Sequence, residues 1–261
     1  MTTDRLDPDK IEANLKTKRI GRKILVFNST SSTNDIAAEY ARNKGNDGLA
    51  VFAEEQTKGR GRAGARWHSG RADSILCSIV LADSKMNAEL LSVTCAVGVA
   101  EAIGKVGNAQ AKVKWPNDIM LDGRKVAGIL LESRPSDTGH TYIIGIGINC
   151  HQTRECFPTQ LRPTVTSIDA EGHSVVDRNL LAKRLLTSVE HWLEVAEKDD
   201  AKVAAQWRDL SVQLGHRITL SYDGREFTGN CIGIDPEKGL ILQLETGGVR
   251  MFEAAQTSVQ K

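Results

Sequence analysis

The sequence predicts an α+β fold in residues 1–210, followed by a small β-barrel in residues 211–261. Up to Leu210, segments with helical periodicity alternate with short apolar segments typical of buried strands. Beyond Gly215 the sequence changes to short segments of alternating apolar and polar residues separated by turns, which is typical of a small all-β barrel. The domain boundary is therefore expected between residues 210 and 215.

The first quarter of the chain predicts two helices and two strands. Asp7-Pro8 supplies an N-cap and a first-turn proline for a helix expected to end near Gly21. Residues 23–27 (KILVF) predict a buried strand. Ser32 or Thr33 then caps a helix expected to run to about Lys44. The segment LAVFAEEQ predicts the next strand.

Residues 57–71, TKGRGRAGARWHSGR, are named here the Gly-Arg loop. They hold four glycines and four arginines and follow neither a helical nor a strand period. Long loops within compact domains are usually functional. The glycines let backbone N–H groups face a ligand, and the arginines supply donors for phosphate or carboxylate. A flexible surface loop and an RG-type nucleic-acid patch remain alternative interpretations.

The middle of the chain predicts a sheet core. A strand over residues 74–82 precedes a mostly apolar helix over residues 87–106. The segments KVKWPNDIML and RKVAGILLES flank Asp122-Gly123, which predicts a hairpin. Residues 142–149 (YIIGIGIN) predict another core strand.

The last third predicts two helices before the barrel. Over residues 177–198, one amphipathic helix is predicted because apolar residues recur at helical spacing. These residues are Leu181, Leu185, Val189, Trp192 and Ala196. A shorter helix is expected to end near Leu210.

Composition excludes several classes of protein. The formal net charge is +1, from 34 Lys and Arg against 33 Asp and Glu, whereas binding of nucleic acid through bulk charge needs a large basic excess. The five cysteines are scattered, which favours reduced thiols in the cytoplasm. The six histidines show no metal-ligand spacing, so no protein-bound metal is expected. The polar N-terminus and the lack of an apolar run of ~18 residues predict no signal peptide and no membrane partner.

Other motifs carry polar side chains that could bind a ligand, but each also has an ordinary structural explanation. The stretch KWPND, residues 114–118, places a cation, an amide and a carboxylate at a strand end, and it is also common turn material. Ser32-Thr33-Asn34 is either a helix N-cap or a set of donors and acceptors for a compact polar ligand. The glycines within residues 145–149 indicate close strand packing or close approach to a ligand.

The order of these motifs resembles the biotin protein ligases. The matching stretches are STN, EEQTKGRGRAGARW, KWPND, KVAGIL and GIGIN, and the resemblance covers about residues 20–200. It implies a class II synthetase-like biotin/lipoate ligase fold with a mixed β-sheet, and the barrel resembles the family's SH3-like C-terminal module. Ala63 and Ala65 depart from the family by replacing cations. Only 31 residues precede Ser32, which predicts the short form without an N-terminal DNA-binding domain and no DNA partner.

The resemblance implies ATP-dependent activation of biotin to biotinyl-5′-AMP and transfer to a lysine of a biotin carboxyl carrier protein. Mg²⁺ would accompany ATP, with water and phosphate as its main ligands. The residues implied for biotin are Ser32, Thr33, Asn34, Gln56, Gly59, Arg60, Gly61, Arg62, Lys114, Gly128 and Gly147. Those implied for ATP are Arg60, Arg62, Trp67, Asn117, Lys125 and Asn149. The implied catalytic residues are Lys114, Arg60, Arg62 and Asp118, with Asp118 serving the amine of the acceptor lysine.

Two other functions stay open from the sequence. A lipoate or octanoate ligase shares the core fold, but a dithiolane ring would leave the polar groups of Ser32–Asn34 and Gln56 unpaired, at ~1–3 kcal/mol per buried group. An RG-loop nucleic-acid-binding protein is disfavoured by the charge balance and by an aromatic content of 5%. The oligomeric state, including a homodimer, is not determined by the sequence.

Overall fold

The computed structural model describes residues 4–107, 110–136, 139–172 and 174–259. Two sheets organise it, one of seven strands and one of five. Within the described residues, none of the helices has both the length and the apolar character needed to cross a membrane.

The seven-stranded sheet is mixed. Its strands are β1 (Ile24–Phe27), β2 (Ala50–Ala53), β3 (Ser74–Ser84), β4 (Lys112–Lys114), β5 (Asp118–Leu121), β6 (Arg124–Ser136) and β7 (Gly139–Asn149). They lie in the order β1-β2-β3-β7-β6-β5-β4. Strands β1 and β2 are parallel, and the other neighbours are antiparallel. Residues from β3, β6 and β7 therefore share the centre of one sheet, which becomes the floor of the site.

The α-helices are α1 (Pro8–Glu12), α2 (Thr33–Tyr40), α3 (Ala88–Gly107), α4 (Ile168–Glu171), α5 (Arg178–Lys198) and α6 (Asp200–Leu210). Short 3₁₀ helices occupy Lys44–Asn46, Arg62–Gly64, Arg154–Cys156 and Ala254–Gln256. The predicted apolar stripe of α5 is confirmed, since its members are all buried. Helices α3, α5 and α6 pack together over the core.

The C-terminal unit is a five-stranded antiparallel sheet. Its strands are β8 (Arg217–Tyr222), β9 (Arg225–Asp235), β10 (Gly239–Leu244), β11 (Val249–Phe252) and β12 (Thr257–Val259), in the order β11-β10-β9-β8-β12. The segment before β8 joins the larger sheet: the Val212 N–H donates to the Val113 carbonyl at 3.0 Å, and the Trp115 N–H donates to Gln213 Oε1 at 2.6 Å. The predicted fold class is confirmed, with a mixed sheet packed by helices and a small β unit after it.

Several predicted elements differ in their bounds: β2 is shorter than the predicted segment LAVFAEEQ, and β3 and β7 are longer than predicted. Three other differences change the description of the chain. Helix α1 ends at Glu12 rather than near Gly21, because Asn14 adopts a positive φ of 59° and turns the chain. Helix α2 ends at Tyr40 rather than near Lys44. The segment KVKWPNDIML is not one strand: Pro116 has no N–H for a strand ladder, and the chain turns back so that β4 pairs antiparallel with β5.

Candidate active site

A cavity of about 890 Å³ lies between the Gly-Arg loop, the centre of the large sheet and the C-terminal unit. All predicted site residues except Gly59 and Asn149 line it. They are Ser32, Thr33, Asn34, Gln56, Arg60, Gly61, Arg62, Trp67, Lys114, Asn117, Asp118, Lys125, Gly128 and Gly147. The fold thus brings residues from five separate motifs around one space large enough for a small-molecule substrate.

The polar cluster, defined as Ser32, Thr33, Asn34 and Gln56, lines the cavity. Ser32 is the N-cap of α2, and its side chain accepts from the Asn34 N–H at 3.3 Å. Gln56 Oε1 accepts from the Thr33 N–H at 2.7 Å and is 2.9 Å from Thr33 Oγ1. The N-cap interpretation of this motif is confirmed, and the same residues line the cavity, whereas their role as donors and acceptors for a ligand stays a prediction.

Ser78 on β3 supports this cluster and was missed from the sequence. Its Oγ lies 2.7 Å from Thr33 Oγ1 and 2.6 Å from Asn34 Oδ1. A hydroxyl has one proton to donate, so Thr33 donates to Ser78 or Gln56, and Ser78 donates to Asn34. The available signal was the second serine of the segment SILCSIVLA, which lies among apolar residues.

Asn34 presents a donor that the protein does not use. The residue is 4% exposed, and its Nδ2 has no hydrogen-bond partner in the described part of the chain. The Ser78 hydroxyl holds the other end of the amide at Oδ1. Because an unpaired buried donor is costly, this N–H is suited to a ligand carbonyl.

Arg60 joins the Gly-Arg loop to the cavity rim. Its Nη2 lies 2.8 Å from Asp35 Oδ1 and 3.2 Å from Glu132 Oε1. The hydrogen bond from Arg60 lowers the pKa of Asp35 below its usual value, and the same bond raises the pKa of Arg60. Both partners are therefore ionised at neutral pH, and the guanidinium is held at the cavity by carboxylates.

Arg62 joins the same loop to the C-terminal unit. Its Nη2 donates to the carbonyls of Ala254 and Thr257, the latter at 3.1 Å, and its Nη1 donates to Asn117 Oδ1 at 3.3 Å. Burial lowers the pKa of this guanidinium from its usual value, yet an arginine stays charged at neutral pH. Among the described residues, the hydrogen-bond partners of Arg62 are neutral oxygens, and the carboxylates of Asp118 and Glu89 act on it through their charge. A cation without a directly bonded carboxylate is suited to attract an anion.

Trp67 packs on the glycines of the sheet floor. A Cβ atom added at Gly147 would lie 2.6 Å from Trp67 Cε2, and one at Gly128 would lie 3.2 Å from Cζ3. These positions admit the indole because they carry no side chain. Lys125 Nζ lies 5.9 Å from the ring centroid and 2.5 Å from Asp118 Oδ1.

The KWPND stretch is the turn between β4 and β5, and it also reaches the cavity. Trp115 is 1% exposed and anchors the turn. Asn117 Nδ2 donates to the Ile129 carbonyl at 2.7 Å, which fixes the turn against β6. Across the described residues, Lys114 Nζ makes no hydrogen bond or ion pair, so this cation is available to a substrate.

Two predicted site residues lie outside the cavity wall. Asn149 is 3% exposed, and its Nδ2 donates to the Thr166 carbonyl at 2.9 Å. Gly59 packs under Trp67: an added Cβ would lie 3.0 Å from the Trp67 carbonyl oxygen and 3.1 Å from Gln56 Nε2. Both residues therefore pack against residues around the cavity rather than lining it.

The C-terminal unit contributes wall residues that the sequence did not indicate. They are Ser221, Ala255, Gln256 and Thr257. No motif marks these positions, because they reach the cavity only through the docking of one unit on the other. As for metals, the described ranges contain no group of three or more His, Cys, Asp or Glu placed to hold an ion.

Comparisons with known proteins agree with the motifs. Residues 26–149 match the Biotin/lipoate A/B protein ligase family. The Bifunctional ligase/repressor BirA of Bacillus spizizenii is 30% identical over 254 residues, which cover 96% of this chain and 78% of that protein. The Biotin–[acetyl-CoA-carboxylase] ligase of Mycobacterium tuberculosis is 31% identical over 255 residues, 92% of each chain.

A solved structure shares the fold over nearly the whole chain. It is the biotin protein ligase from Aquifex aeolicus in complex with biotin and ATP, with a TM-score of 0.80 and 24% identity. The match covers 92% of this chain and 99% of that one. With the identity of the two relatives, which extends over most of their length, the conclusion is direct: the chain belongs to the biotin protein ligase family.

Proposed function

We propose that this protein uses ATP to convert biotin to biotinyl-5′-AMP and then transfers the biotinyl group to a lysine of a biotin carboxyl carrier protein. The observation that carries the proposal is the division of one cavity into two chemistries. Its wall combines an uncharged polar cluster, in which Asn34 Nδ2 has no partner among the described residues, with the cations Arg60, Arg62 and Lys114. Biotin has the matching division, with a ureido ring at one end and a carboxylate at the other.

In the first step, a carboxylate oxygen of biotin attacks the α-phosphorus of ATP. A new P–O bond forms, and the bond to pyrophosphate breaks with its electron pair. Both reactants are anions, so the main task of the protein is to orient them and offset their repulsion. Arg60 and Arg62 do this by exchanging their internal oxygen partners for substrate oxygens, while Lys114 donates to the acyl and bridging oxygens of the anhydride.

In the second step, the amine of the acceptor lysine attacks the acyl carbon. A C–N bond forms, the C–O bond to AMP breaks, and the amine loses a proton. Asp118 orients that amine or helps remove its proton, and its pairing with Lys125 at 2.5 Å keeps the carboxylate in place beforehand. No side chain of the protein needs to be a nucleophile, because the substrates supply both.

The nucleotide end of the cavity uses Trp67 beside adenine, with Asn117 and Lys125 facing the phosphates. Gly128 and Gly147, which we assign to biotin, let its bicyclic ring approach the sheet closely, and the close packing of Trp67 on both glycines supports this. Asn149 affects nucleotide binding indirectly, by holding neighbouring residues in place, since its side-chain amide donates to the Thr166 carbonyl. Asp118 is the single carboxylate among the described wall residues, which fits a Mg²⁺ ion that arrives with ATP and keeps mostly phosphate and water ligands.

The remaining assignments concern partners and parts of the protein outside the cavity. The wall residues of the C-terminal unit support a role for that unit in holding the nucleotide or the carrier. The division at residue 210, the cytoplasmic location, a homodimer and the lack of a DNA partner stay predictions.

The test is incubation with ATP, biotin and a biotin carboxyl carrier domain, read by the mass of the carrier and by pyrophosphate release. We expect a gain of one biotinyl group that requires ATP. Reactions with lipoate and octanoate test the alternative acyl substrates. Transfer of either of these without transfer of biotin would replace the proposed function with that of a lipoate-type ligase. We do not expect this result, because a dithiolane ring would leave the groups of the polar cluster without hydrogen-bond partners.

A further inference from the structure

Arg178 is a buried cation that the proposed reaction does not use. Its side chain is 0% exposed and lies at the first turn of α5. Its Nε donates to Asp4 Oδ1 at 2.8 Å, and its Nη1 donates to Glu54 Oε2 at 2.8 Å and to the Ser74 carbonyl at 3.1 Å. A guanidinium with this many fixed acceptors holds their relative positions, because its donors form a rigid plane.

Two of these partners, Glu54 and Ser74, flank the Gly-Arg loop. Glu54 precedes the loop and Ser74 follows it, and between them the Ala72 N–H donates to the Glu54 carbonyl at 2.9 Å. We define the loop base as Glu54, Ala72 and Ser74. Gln56 of the polar cluster lies only two residues after Glu54, so the position of the base is transmitted directly to the cavity.

Backbone strain at the base indicates that its position is imposed. Ala72 has a φ of 61°, in the left-handed region that a residue with a side chain rarely adopts. Such a conformation persists only when the surrounding structure fixes it. The hydrogen bond to Glu54 and the adjacent contact of Ser74 with Arg178 are the fixing interactions.

The N-terminal segment completes the arrangement. The Leu6 N–H donates to Glu54 Oε1 at 2.7 Å, and Arg178 Nη2 donates to the Asp4 carbonyl at 2.9 Å. Burial acts to raise the pKa of Asp4, but hydrogen bonds from His151 and Arg178 outweigh it and lower that pKa to about 2. Asp4 is therefore a carboxylate at every pH of interest, and it pairs with the guanidinium permanently.

We propose that Arg178 is a positioning residue for ligation: it fixes the loop base, and through that base it sets the location of Gln56 and the closure of the Gly-Arg loop over the cavity. The inference rests on the proposed function. A fixed base lets the loop close over the mixed anhydride in one arrangement and exclude the water that would hydrolyse it. A loosened base lets water enter and displaces Gln56.

Two conservative variants loosen the base while keeping the buried volume. Arg178→Lys keeps the charge but loses the planar set of donors, and Glu54→Gln keeps the acceptor for Leu6 but loses the charge that faces Arg178. The matched control is Glu190→Gln. Glu190 also lies on α5 and is 8% exposed, and it accepts N–H groups of Lys18, Arg19 and Ile20 rather than any group of the loop base.

We expect both variants to raise the KM for biotin about tenfold, as for a weakened hydrogen bond. We also expect the ratio of pyrophosphate released to biotin transferred to rise about twofold or more, because biotinyl-AMP is lost to water. Glu190→Gln should lower the melting temperature with neither change. If Arg178→Lys and Glu54→Gln lower only the melting temperature, as the control does, Arg178 is merely structural and the inference is wrong.

Hydrogen exchange keeps this test separate from the proposed function. Without any substrate, exchange of the Ala72 and Trp67 amides should be faster in Arg178→Lys than in wild type and Glu190→Gln. Unchanged exchange at both amides would overturn the positioning role, whatever substrate the enzyme uses. Failure of the wild type to transfer biotin would overturn the proposed function alone.

Discussion

Asn34 is the residue whose change tests the substrate assignment most directly. Asn34→Ala removes the buried Nδ2 that has no protein partner and leaves a ligand carbonyl without its donor. Leaving a buried polar group unpaired costs ~1–3 kcal/mol. At 1.4 kcal/mol for each tenfold change, biotin should bind about 5- to 150-fold more weakly.

The orientation of the amide makes a second, smaller prediction. The Ser78 hydroxyl, 2.6 Å from Asn34 Oδ1, directs Nδ2 away from β3. Ser78→Ala removes this contact but keeps the donor. We expect a loss of affinity of about fivefold, as for one neutral hydrogen bond of ~1 kcal/mol.

Calorimetric titration with biotin, without ATP, measures both effects, and thermal unfolding shows whether each variant is folded. Asn43→Ala is the control, because exposed Asn43 accepts from the Gly45 N–H at 2.9 Å at a helix start away from the cavity. A biotin Kd for folded Asn34→Ala within twofold of wild type would refute the assignment of the ureido ring to the polar cluster.

Three further changes test the rest of the cavity. Lys114→Ala should slow ligation about 10²–10³-fold with the fold retained, since one donor to a developing oxyanion is worth ~2.7–4 kcal/mol; steady-state rates near wild type would contradict its role. Asp118→Asn should still form biotinyl-AMP but pass it poorly to the carrier, and single-turnover measurements of each step would show equal damage to both if Asp118 serves ATP instead. Gly147→Ala places a Cβ 2.6 Å from Trp67 Cε2, so the indole must move; we expect a stability loss of ~1–3 kcal/mol and a raised KM for ATP, and an unchanged KM would separate Trp67 from the nucleotide.

The parts of the fold that the sequence predicts well are those with a strong local pattern. Helix α5 begins after Asp177 and buries the predicted stripe, because its N-cap and its 3.6-residue period agree. The ends of weaker helices were predicted too late, as at α1, where a left-handed Asn14 ends the segment without a glycine or proline to mark it. Bounds of this kind depend on backbone angles that composition does not reveal.

The site residues likewise divide into those that the sequence could predict and those that it could not. Residues within motifs could be predicted because each motif concentrates one kind of chemistry at a strand end or loop. Ser78 had only a weak signal, a serine within an apolar strand. Thr257 and Arg178 had none, because their roles arise from contacts between segments far apart in the chain: Arg62 meets the Thr257 carbonyl 195 residues later, and Arg178 meets Glu54 124 residues earlier. Such pairs are set by sheet order and domain docking, which one sequence does not specify locally.

The internal partners of the loop arginines have a consequence for the order of events. Arg60 is paired with Asp35 and Glu132, and Arg62 donates to backbone carbonyls of the C-terminal unit. A carboxylate or phosphate that binds these arginines must replace their internal contacts. The free energy gained on binding is therefore the difference between the hydrogen bonds to the substrate and those to the protein, rather than the full strength of the former. Arg60 would give up two directly bonded carboxylates, whereas Arg62 would give up neutral oxygens and keep the nearby charges of Asp118 and Glu89. We therefore expect Arg62 to gain more from each substrate oxygen. If Arg62 binds the substrate anions as proposed, occupation of the cavity weakens its hydrogen bonds to the C-terminal unit. By reciprocity, a ligand that moves that unit would then alter the affinity of the cavity for the anionic substrates.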